Sequence, residues 1–404
     1  MHVYIAGDNF AAQHCNPGQL ARNMRRYSSG KGMTDLQARA SGLCEALERY
    51  SGVFQGTEIR RKARLKELDG LGIHPNECMR FSVRQYAERE AINSRNEVSF
   101  NYIPLPFDED AAIEWTPVWS LTHKINRYLP TGYCYYAYPS PENRWQCVAC
   151  SNGNAAGNTL EEAILHGFLE LVERDSVALW WYNRVQRPSV NVDSFEEPYL
   201  AKLQAFLKAR HRELWVLDLT SDPGIPVFAA LSRRPDHPQE HITIGLGAHL
   251  DPRIAVLRAV TELNQALVWL FRADKDTEKA PETSEDSAFW SWLKTATIAK
   301  KPYLVADSNV RPREASSYPR QWTDDLRDDM SLCQDLVERH GMEMLVLDQT
   351  RADIGLPVAK VIVPGLRHFR ARFAPGRLYE VPVALGWLTG PLSEERLNPI
   401  PFFL

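Results

Sequence analysis

The chain lacks any run of about eighteen consecutive apolar residues, so no segment can cross a membrane as a helix. Its first residues, MHVYIAGDNFAAQHCN, have neither a basic start nor an apolar stretch, which excludes a secretory signal. They read as a short strand at 2–6 followed by a turn. No basic stripe is present and the formal net charge is −4, so a nucleic-acid backbone is excluded as the ligand. The seven cysteines (Cys15, Cys44, Cys78, Cys134, Cys147, Cys150 and Cys333) are odd in number and scattered. That pattern makes no disulfide framework and fits a reducing cytoplasm. Cys147 and Cys150 form one C-x-x-C, but no second pair stands at zinc-finger spacing, and the pair reads as two cysteines on a strand or loop.

What the chain does have is a loop of small residues running straight into an acidic helix, SNGNAAGNTLEEAILHGFLELVER at 151–174. Gly153 and Gly157 let backbone amides come close to an anion, and a helix N-terminus favours phosphate. The carboxylates that follow, Glu162, Glu170 and Glu173, cannot bind phosphate themselves. They make sense beside it if Mg2+ comes too, because that ion takes carboxylate oxygens together with phosphates. The E-x-x-E-R pattern of Glu170, Glu173 and Arg174 also occurs at Glu45, Glu48 and Arg49. Arg258, Glu262 and Gln265 form a weaker third copy, again with oxygen-bearing side chains at i and i+3.

Residues three apart share a helix face, so three helices could aim three such pairs at one place. Glutamates at this spacing are also common on solvated faces, and a structural Glu–Arg network is a second bland reading. The neighbours argue for burial: Leu43, Ala46 and Leu47 in one copy, Phe168, Leu169, Leu171 and Val172 in the other. Buried carboxylates without partners cost several kcal/mol and need cations or hydrogen bonds.

At these residues the chain resembles the YcaO family of ATP-using enzymes that modify peptide backbone amides. The matching segments are SSGKGMTDLQARASGLCEALERYSG (28–52), SNGNAAGNTLEEAILHGFLELVERD (151–175) and GLGAHLDPRIAVLRAVTELNQ (245–265). The C-terminal run VPVALGWLTGPLSEERLNPIPFFL points to the branch acting as cyclodehydratases in thiazole/oxazole-modified peptide biosynthesis. The resemblance implies an α/β YcaO-type compound fold, with helices on mixed β-sheets. It implies one ATP-binding catalytic unit over 1–384 and a proline-containing tail at 385–404 reaching toward the active site. As cofactors it implies ATP and Mg2+. Carried over by motif, Glu45, Glu48, Glu170, Glu173 and Glu262 would ligate magnesium. Ser41, Asn158, Arg174 and Arg258 would contact the nucleotide, and Glu162 and Gln265 would line the site. Lys31, in the G-K-G turn, is a phosphate contact by charge, or else an exposed lysine. The resemblance makes the Leu404 carboxylate a general base. Three alternating prolines are the usual tail, whereas here only Pro399 and Pro401 are present and Phe403 replaces the third.

The activity implied is ATP-dependent cyclodehydration of Cys, Ser or Thr in a ribosomally made precursor peptide. A thioamide- or amidine-forming YcaO enzyme is the alternative, and a non-catalytic peptide-binding scaffold is a third reading. The partners expected are the precursor peptide, an E1-like or ThiF-like leader-binding protein, a dehydrogenase where azolines are oxidised, and a second copy of the chain. The nucleotide-binding region starts too early for a leader-binding module to precede it, so a separate partner or a longer fusion is expected.

Helical periodicity marks 34–50, 159–179, 198–212, 252–272 and 324–340, with Thr159 as an N-cap and Glu162 completing a capping box. Strand-like runs lie at 213–219, 226–231, 243–246, 343–347 and 357–363. The run VLDLTSDPGIPV at 216–227 recurs as VLDQTRADIGLPV at 346–358, each after an amphipathic helix and before an apolar strand. Two helix–strand–turn–strand units are therefore predicted. Asp222, Gly224, Asp353 and Gly355 read as turn-formers. The polar stretch 273–287 reads as an exposed insert. Trp180, Trp181, Trp290 and Trp292 read as core or surface aromatics.

Overall fold

The computed structural model describes residues 1–8, 27–95, 101–139, 145–273 and 287–402. Most of the expected polar insert, and the expected site at Leu404, lie outside these residues. The strands are β1 His2–Asp8, β2 Tyr27–Gly32, β3 Arg61–Ala63, β4 Ile113–Ser120, β5 Asn126–Pro130, β6 Asn154–Ala156, β7 Glu213–Asp218, β8 Val227–Arg233, β9 Thr243–Ala248, β10 Leu345–Asp348 and β11 Val358–Ile362. The longer helices are α1 Asp35–Ser51, α2 Leu160–Asn183, α3 Pro198–Lys208, α4 Pro252–Ala273, α5 Ser287–Thr295, α6 Leu326–Arg339 and α7 Arg377–Ala384.

Three sheets carry these helices. One is the β1–β2 pair, the second runs β3–β4–β10–β11–β6 with β5 on β4, and the third is β7–β8–β9. The α/β arrangement is the one expected, with a refinement of the mixed sheets. The named strands pair antiparallel, and parallel pairing is confined to isolated bridges such as Val53–Tyr136.

The two predicted repeats are α3–β7–β8 and α6–β10–β11, and their turns share one chemistry. Asp218 accepts from the Thr220 amide at 2.9 Å, and Asp348 from the Thr350 amide at 2.9 Å. The threonine hydroxyls then accept from the first residues of the next strands, Val227 at 3.3 Å and Val358 at 3.1 Å. Gly224 and Gly355 supply the positive φ that closes each turn. Asp222 is not merely a turn-former, which corrects that expectation. Its carboxylate pairs with Arg377 at 2.7 and 2.8 Å, and Arg377 also grips the fully buried Asp175 of α2. His340, at the end of α6, lies 3.3 Å from Asp222. Burial makes such a network possible only when each charge is matched.

Helix ends follow local causes. α3 stops at Lys208 rather than 212, because buried Arg212 turns away to donate to Ser232 Oγ (3.0 Å) and the His241 carbonyl (2.8 Å). α2 outruns its expected end, since Trp180, Trp181 and Tyr182 are fully buried, and it stops where Arg184 turns left-handed.

Glycines set how closely helix and sheet approach. In β2, Gly30 and Gly32 face α1, while Ser29 and Lys31, on the alternate positions, face α4. In β9, Gly245 and Gly247 face α4. A Cβ at Gly245 would meet the Leu263 amide nitrogen at 2.1 Å, and one at Gly247 the Ala255 carbonyl at 2.3 Å. These are backbone atoms that cannot swing aside. Gly245→Ala should therefore push α4 off its sheet and cost about 1–3 kcal/mol or more, read as a lowered urea midpoint. An unchanged midpoint would show that α4 is free to shift.

Candidate functional site

α1, α2 and α4 each carry one copy of the acidic pattern, and the glycine-faced strands hold them close together. On α1, Glu48 pairs with Arg49 at 3.0 Å, and Glu45 lies 3.6 Å from Arg49 while accepting from the Ser29 amide at 3.3 Å. On α2, Arg174 pairs with Glu170 at 3.1 Å and Glu173 at 2.9 Å. On α4, Glu262 accepts from the Leu246 amide at 3.1 Å and pairs with Lys31 of β2. Gln265 donates to Ser29 Oγ at 2.9 Å, closing the contact between α4 and β2.

These groups sense one another. Burial pushes the Glu48 carboxyl up to about 8; Arg49 opposes this, and Glu170 and Glu45 add to it. Burial likewise takes Glu173 up to about 7, against Arg174 and with help from Glu262. Glu262 is buried too, but Lys31 and Arg174 outweigh burial and hold it below its ordinary value. Burial lowers Arg258, which donates to the Ala248 carbonyl at 3.2 Å and faces Glu173 and Glu162 electrostatically. The site thus gathers Glu45, Glu48, Glu170, Glu173 and Glu262 around the paired cations Lys31, Arg49 and Arg174. The acids outnumber those bases.

Some expectations change in detail. The Gly153 amide does not await an anion: it donates to Glu170 at 2.9 Å, and the Gly157 amide goes to the Pro357 carbonyl at 3.0 Å. The reason these positions are glycine is packing, since a Cβ on Gly153 would meet the Val361 carbonyl at 2.1 Å. Thr159 does cap α2, accepting from the Glu162 amide at 3.2 Å. The Glu162 carboxylate, however, binds the backbone (2.7 Å) and side-chain (2.9 Å) nitrogens of Asn158 instead of closing the box on Thr159. Lys31 is no free surface lysine, and Ser41 Oγ accepts from its amide at 3.4 Å.

Among the described residues, no three Asp, Glu, His or Cys side chains are disposed to hold one ion together. The carboxylate oxygens are turned toward Arg49, Arg174, Lys31 and the Gly153 and Leu246 amides. The donor set still fits a hard divalent cation, because buried acidic oxygens in excess of their bases are what such an ion neutralises. Cys147 is buried and Cys150 half-buried, in the coil before β6, with free thiols.

Three neighbours escaped sequence reasoning. Arg49 was legible, because it holds in its own motif the place of Arg174. His166 lies one turn after Glu162, and burial pushes it down to about 4. His249 is pushed down to about 3 by burial, with Arg258 and His166 adding. No spacing in the sequence pairs it with His166. The tail also approaches. The Arg174 guanidinium stacks 4.3 Å over the Phe369 ring, Phe402 packs 5.4 Å from that ring, and Arg370 donates to the Phe402 carbonyl at 3.1 Å.

Comparison with known proteins places this arrangement. Residues 29–367 match the family described as YcaO cyclodehydratase, ATP- and Mg2+-binding. A heterocyclase solved in complex with substrate and cofactor is 52% identical with a TM-score of 0.93, covering 100% of this chain and 53% of its own. The heterocyclase TruD is 53% identical with a TM-score of 0.82, covering 91% of this chain and 51% of its own. The chain therefore spans about half the length of those two proteins. The YcaO protein of Methanopyrus kandleri, solved with AMPPCP and Mg2+, shares the fold at 22% identity with a TM-score of 0.61, over 87% of this chain and 82% of its own. By sequence and by fold, the chain belongs to the YcaO cyclodehydratase family.

Proposed function

We propose that the chain carries out ATP- and Mg2+-dependent cyclodehydration of Cys, Ser or Thr residues in a ribosomally made peptide. The observation that carries this reading is the gathering of Glu45, Glu48, Glu170, Glu173 and Glu262, drawn from three helices, with Glu173 buried, the others half-buried, and fewer bases than acids paired to them. The likeness to two heterocyclases, at 52% and 53% identity, favours ring formation over thioamide or amidine chemistry and over a scaffold.

The reaction begins when a substrate side-chain thiol or hydroxyl attacks the preceding amide carbonyl, giving a tetrahedral hemiorthoamide. Its oxygen takes the γ-phosphoryl group of ATP, releasing ADP. The ring nitrogen then expels phosphate with loss of its proton, which leaves the azoline. The protein's work is positioning and charge neutralisation. Mg2+ bound by the five glutamates would supply charge neutralisation at the phosphate oxygens. Arg174 and Arg258 would present guanidinium forks to phosphoryl oxygens, Arg174 held flat on Phe369. Ser41, Asn158, Glu162, Lys31 and Gln265 would line the nucleotide. The C-terminal carboxylate of Leu404 would act as a general base. A leader-binding E1-like or ThiF-like protein or region would present the peptide, a second copy would complete a homodimer, and the setting would be the cytoplasm. Among the described residues, no helix is long and apolar enough to cross a membrane.

Glu48→Gln and Glu170→Gln should each bring peptide-dependent phosphate release below about a hundredth of the parent rate while the far-ultraviolet spectrum is unchanged. Full turnover in both variants would remove these carboxylates from the site. For the tail, the informative truncation stops after Phe402, because Phe402 is fully buried against Trp181 and its loss would damage the core. Removing Phe403 and Leu404 alone should suppress ring formation, followed as loss of one water mass per ring; an unaltered rate would set the tail aside.

A pH prediction follows from Glu48 and Glu173. Their folded-state values, about 8 and about 7, lie above those of an unfolded glutamate. The folded protein then binds more protons than the unfolded chain at intermediate pH, so stability falls as pH rises from about 4.5 to about 8. The melting temperature of the metal-free protein should drop across that window. Mg2+ with a non-hydrolysable ATP analogue should restore it, releasing protons measurable by calorimetry in buffers of different ionisation heat. Binding at pH 7 without proton release would contradict the assignment.

A further inference from the structure

Two arginines stand in equivalent places. Arg174 follows Glu170-x-x-Glu173 on α2, and Arg49 follows Glu45-x-x-Glu48 on α1. The carry-over from the family gave Arg174 a nucleotide role and left Arg49 with none. Yet their contacts match. One guanidinium nitrogen of each reaches the glutamate four residues back, at 3.1 Å from Arg174 and 3.6 Å from Arg49. The other reaches the glutamate immediately before, at 2.9 Å from Arg174 and 3.0 Å from Arg49. The two side chains are similarly covered, 16% and 14% exposed.

Their surroundings differ. Arg174 lies on Phe369 and senses Glu262 on a third helix. Arg49 instead faces Tyr136, which is 1% exposed, and Nε of both arginines is buried without a hydrogen-bond partner. Every strong partner of Arg49 is thus a carboxylate of its own helix. Glu45 and Glu48 are like charges one turn apart on α1, and the Arg49 guanidinium lies between them, 3.6 Å from one and 3.0 Å from the other.

We propose that Arg49 is a positioning residue which holds Glu45 and Glu48 in the orientation that Mg2+ requires. This deepens the reading given above and rests on it. Arg49 touches neither nucleotide nor peptide; its planar fork spans both carboxylates and fixes their spacing before the ion arrives. A lysine keeps the charge but offers a single point donor, so it spans one carboxylate at a time.

The test is Mn2+ binding followed by electron paramagnetic resonance, on the full chain with a non-hydrolysable ATP analogue, for the parent, Arg49→Lys and Arg49→Met. Loss of a partner that orients a metal ligand weakens metal affinity by about 10–100-fold. Arg49→Met should show that loss, and Arg49→Lys a smaller one. In turnover, the Mg2+ concentration giving half the maximal rate should rise by the same factor, and the KM for ATP at saturating Mg2+ should change far less. A purely structural role would lower the active fraction at every Mg2+ concentration and leave the affinity of the folded remainder intact; that result would overturn the proposal. Should Arg49→Met fail to fold, unchanged Mn2+ affinity in Arg49→Lys together with an unchanged Mg2+ requirement overturns it equally. A parent protein that binds nucleotide but no Mn2+ would instead defeat the metal reading itself, a different outcome from the failure of Arg49.

Discussion

Five carboxylates brought together, one buried and four half-buried, impose the constraint around which this molecule is organised. Each buried acid repels its neighbours and loses hydration, and nothing in the hydrophobic core offsets that cost. Partial neutralisation comes from Arg49, Arg174 and Lys31, and the Ser29, Gly153 and Leu246 backbone amides donate hydrogen bonds to three of the carboxylates. What is left over is negative charge in a confined place, which is the physical requirement for binding a divalent cation with a polyphosphate. Burial above all, with neighbouring carboxylates adding to it, holds Glu48 and Glu173 above the usual carboxylate range.

Such a site needs close and rigid support, and the fold supplies it twice over. Glycines at alternate strand positions let α1 lie on β2 and α4 on β9 at backbone distance, so the glutamates on those helices reach inward together. β2 serves both helices, its glycine face on α1 and its Ser29 and Lys31 face on α4. Behind the site, Arg377 joins Asp175, the residue after Arg174, to Asp222 in the turn of the first repeat. His340 brings the second repeat to the same point. Arg377 thus ties α2 to the first repeat by charge, whereas the second repeat packs directly on α2, with Gly167 against Val361, and its β11 pairs with β6 just before that helix.

Much of this was legible because periodic patterns survive folding. The 24-residue α2 and the two helix–hairpin repeats were visible as apolar periods and as a duplicated V-L-D-x-T turn; α3 ended early where Arg212 turned away, and α2 ran on where buried Trp180, Trp181 and Tyr182 extended it. The E-x-x-E-R copies announced the carboxylate helices. Sequence could not say which partner each oxygen takes. Gly153 and Gly157 looked like anion-binding amides, yet Gly153 is packed against Val361 and the Gly157 amide is taken by the Pro357 carbonyl, both two hundred residues away. Asp222 looked like a turn residue because Arg377 lies 155 positions later. Long-range charge pairing leaves no local period.

The tail shows how chain termination is coupled to the charge cluster. Asn398 donates from its amide to the Tyr182 carbonyl at 2.8 Å, and the Trp181 indole donates to the Ile400 carbonyl at 2.7 Å. Both partners stand near the end of α2, whose preceding turns carry Glu173 and Arg174. Phe402 then fills the space between Trp181 and Phe369, the ring on which Arg174 rests. Proline at 399 and 401 keeps this stretch extended, so little chain entropy is lost in docking it. The buried aromatic side chain of Phe402 anchors this stretch. Since Phe369 contacts both the tail and the guanidinium, any displacement of the tail must be felt by the charge that faces Glu170 and Glu173.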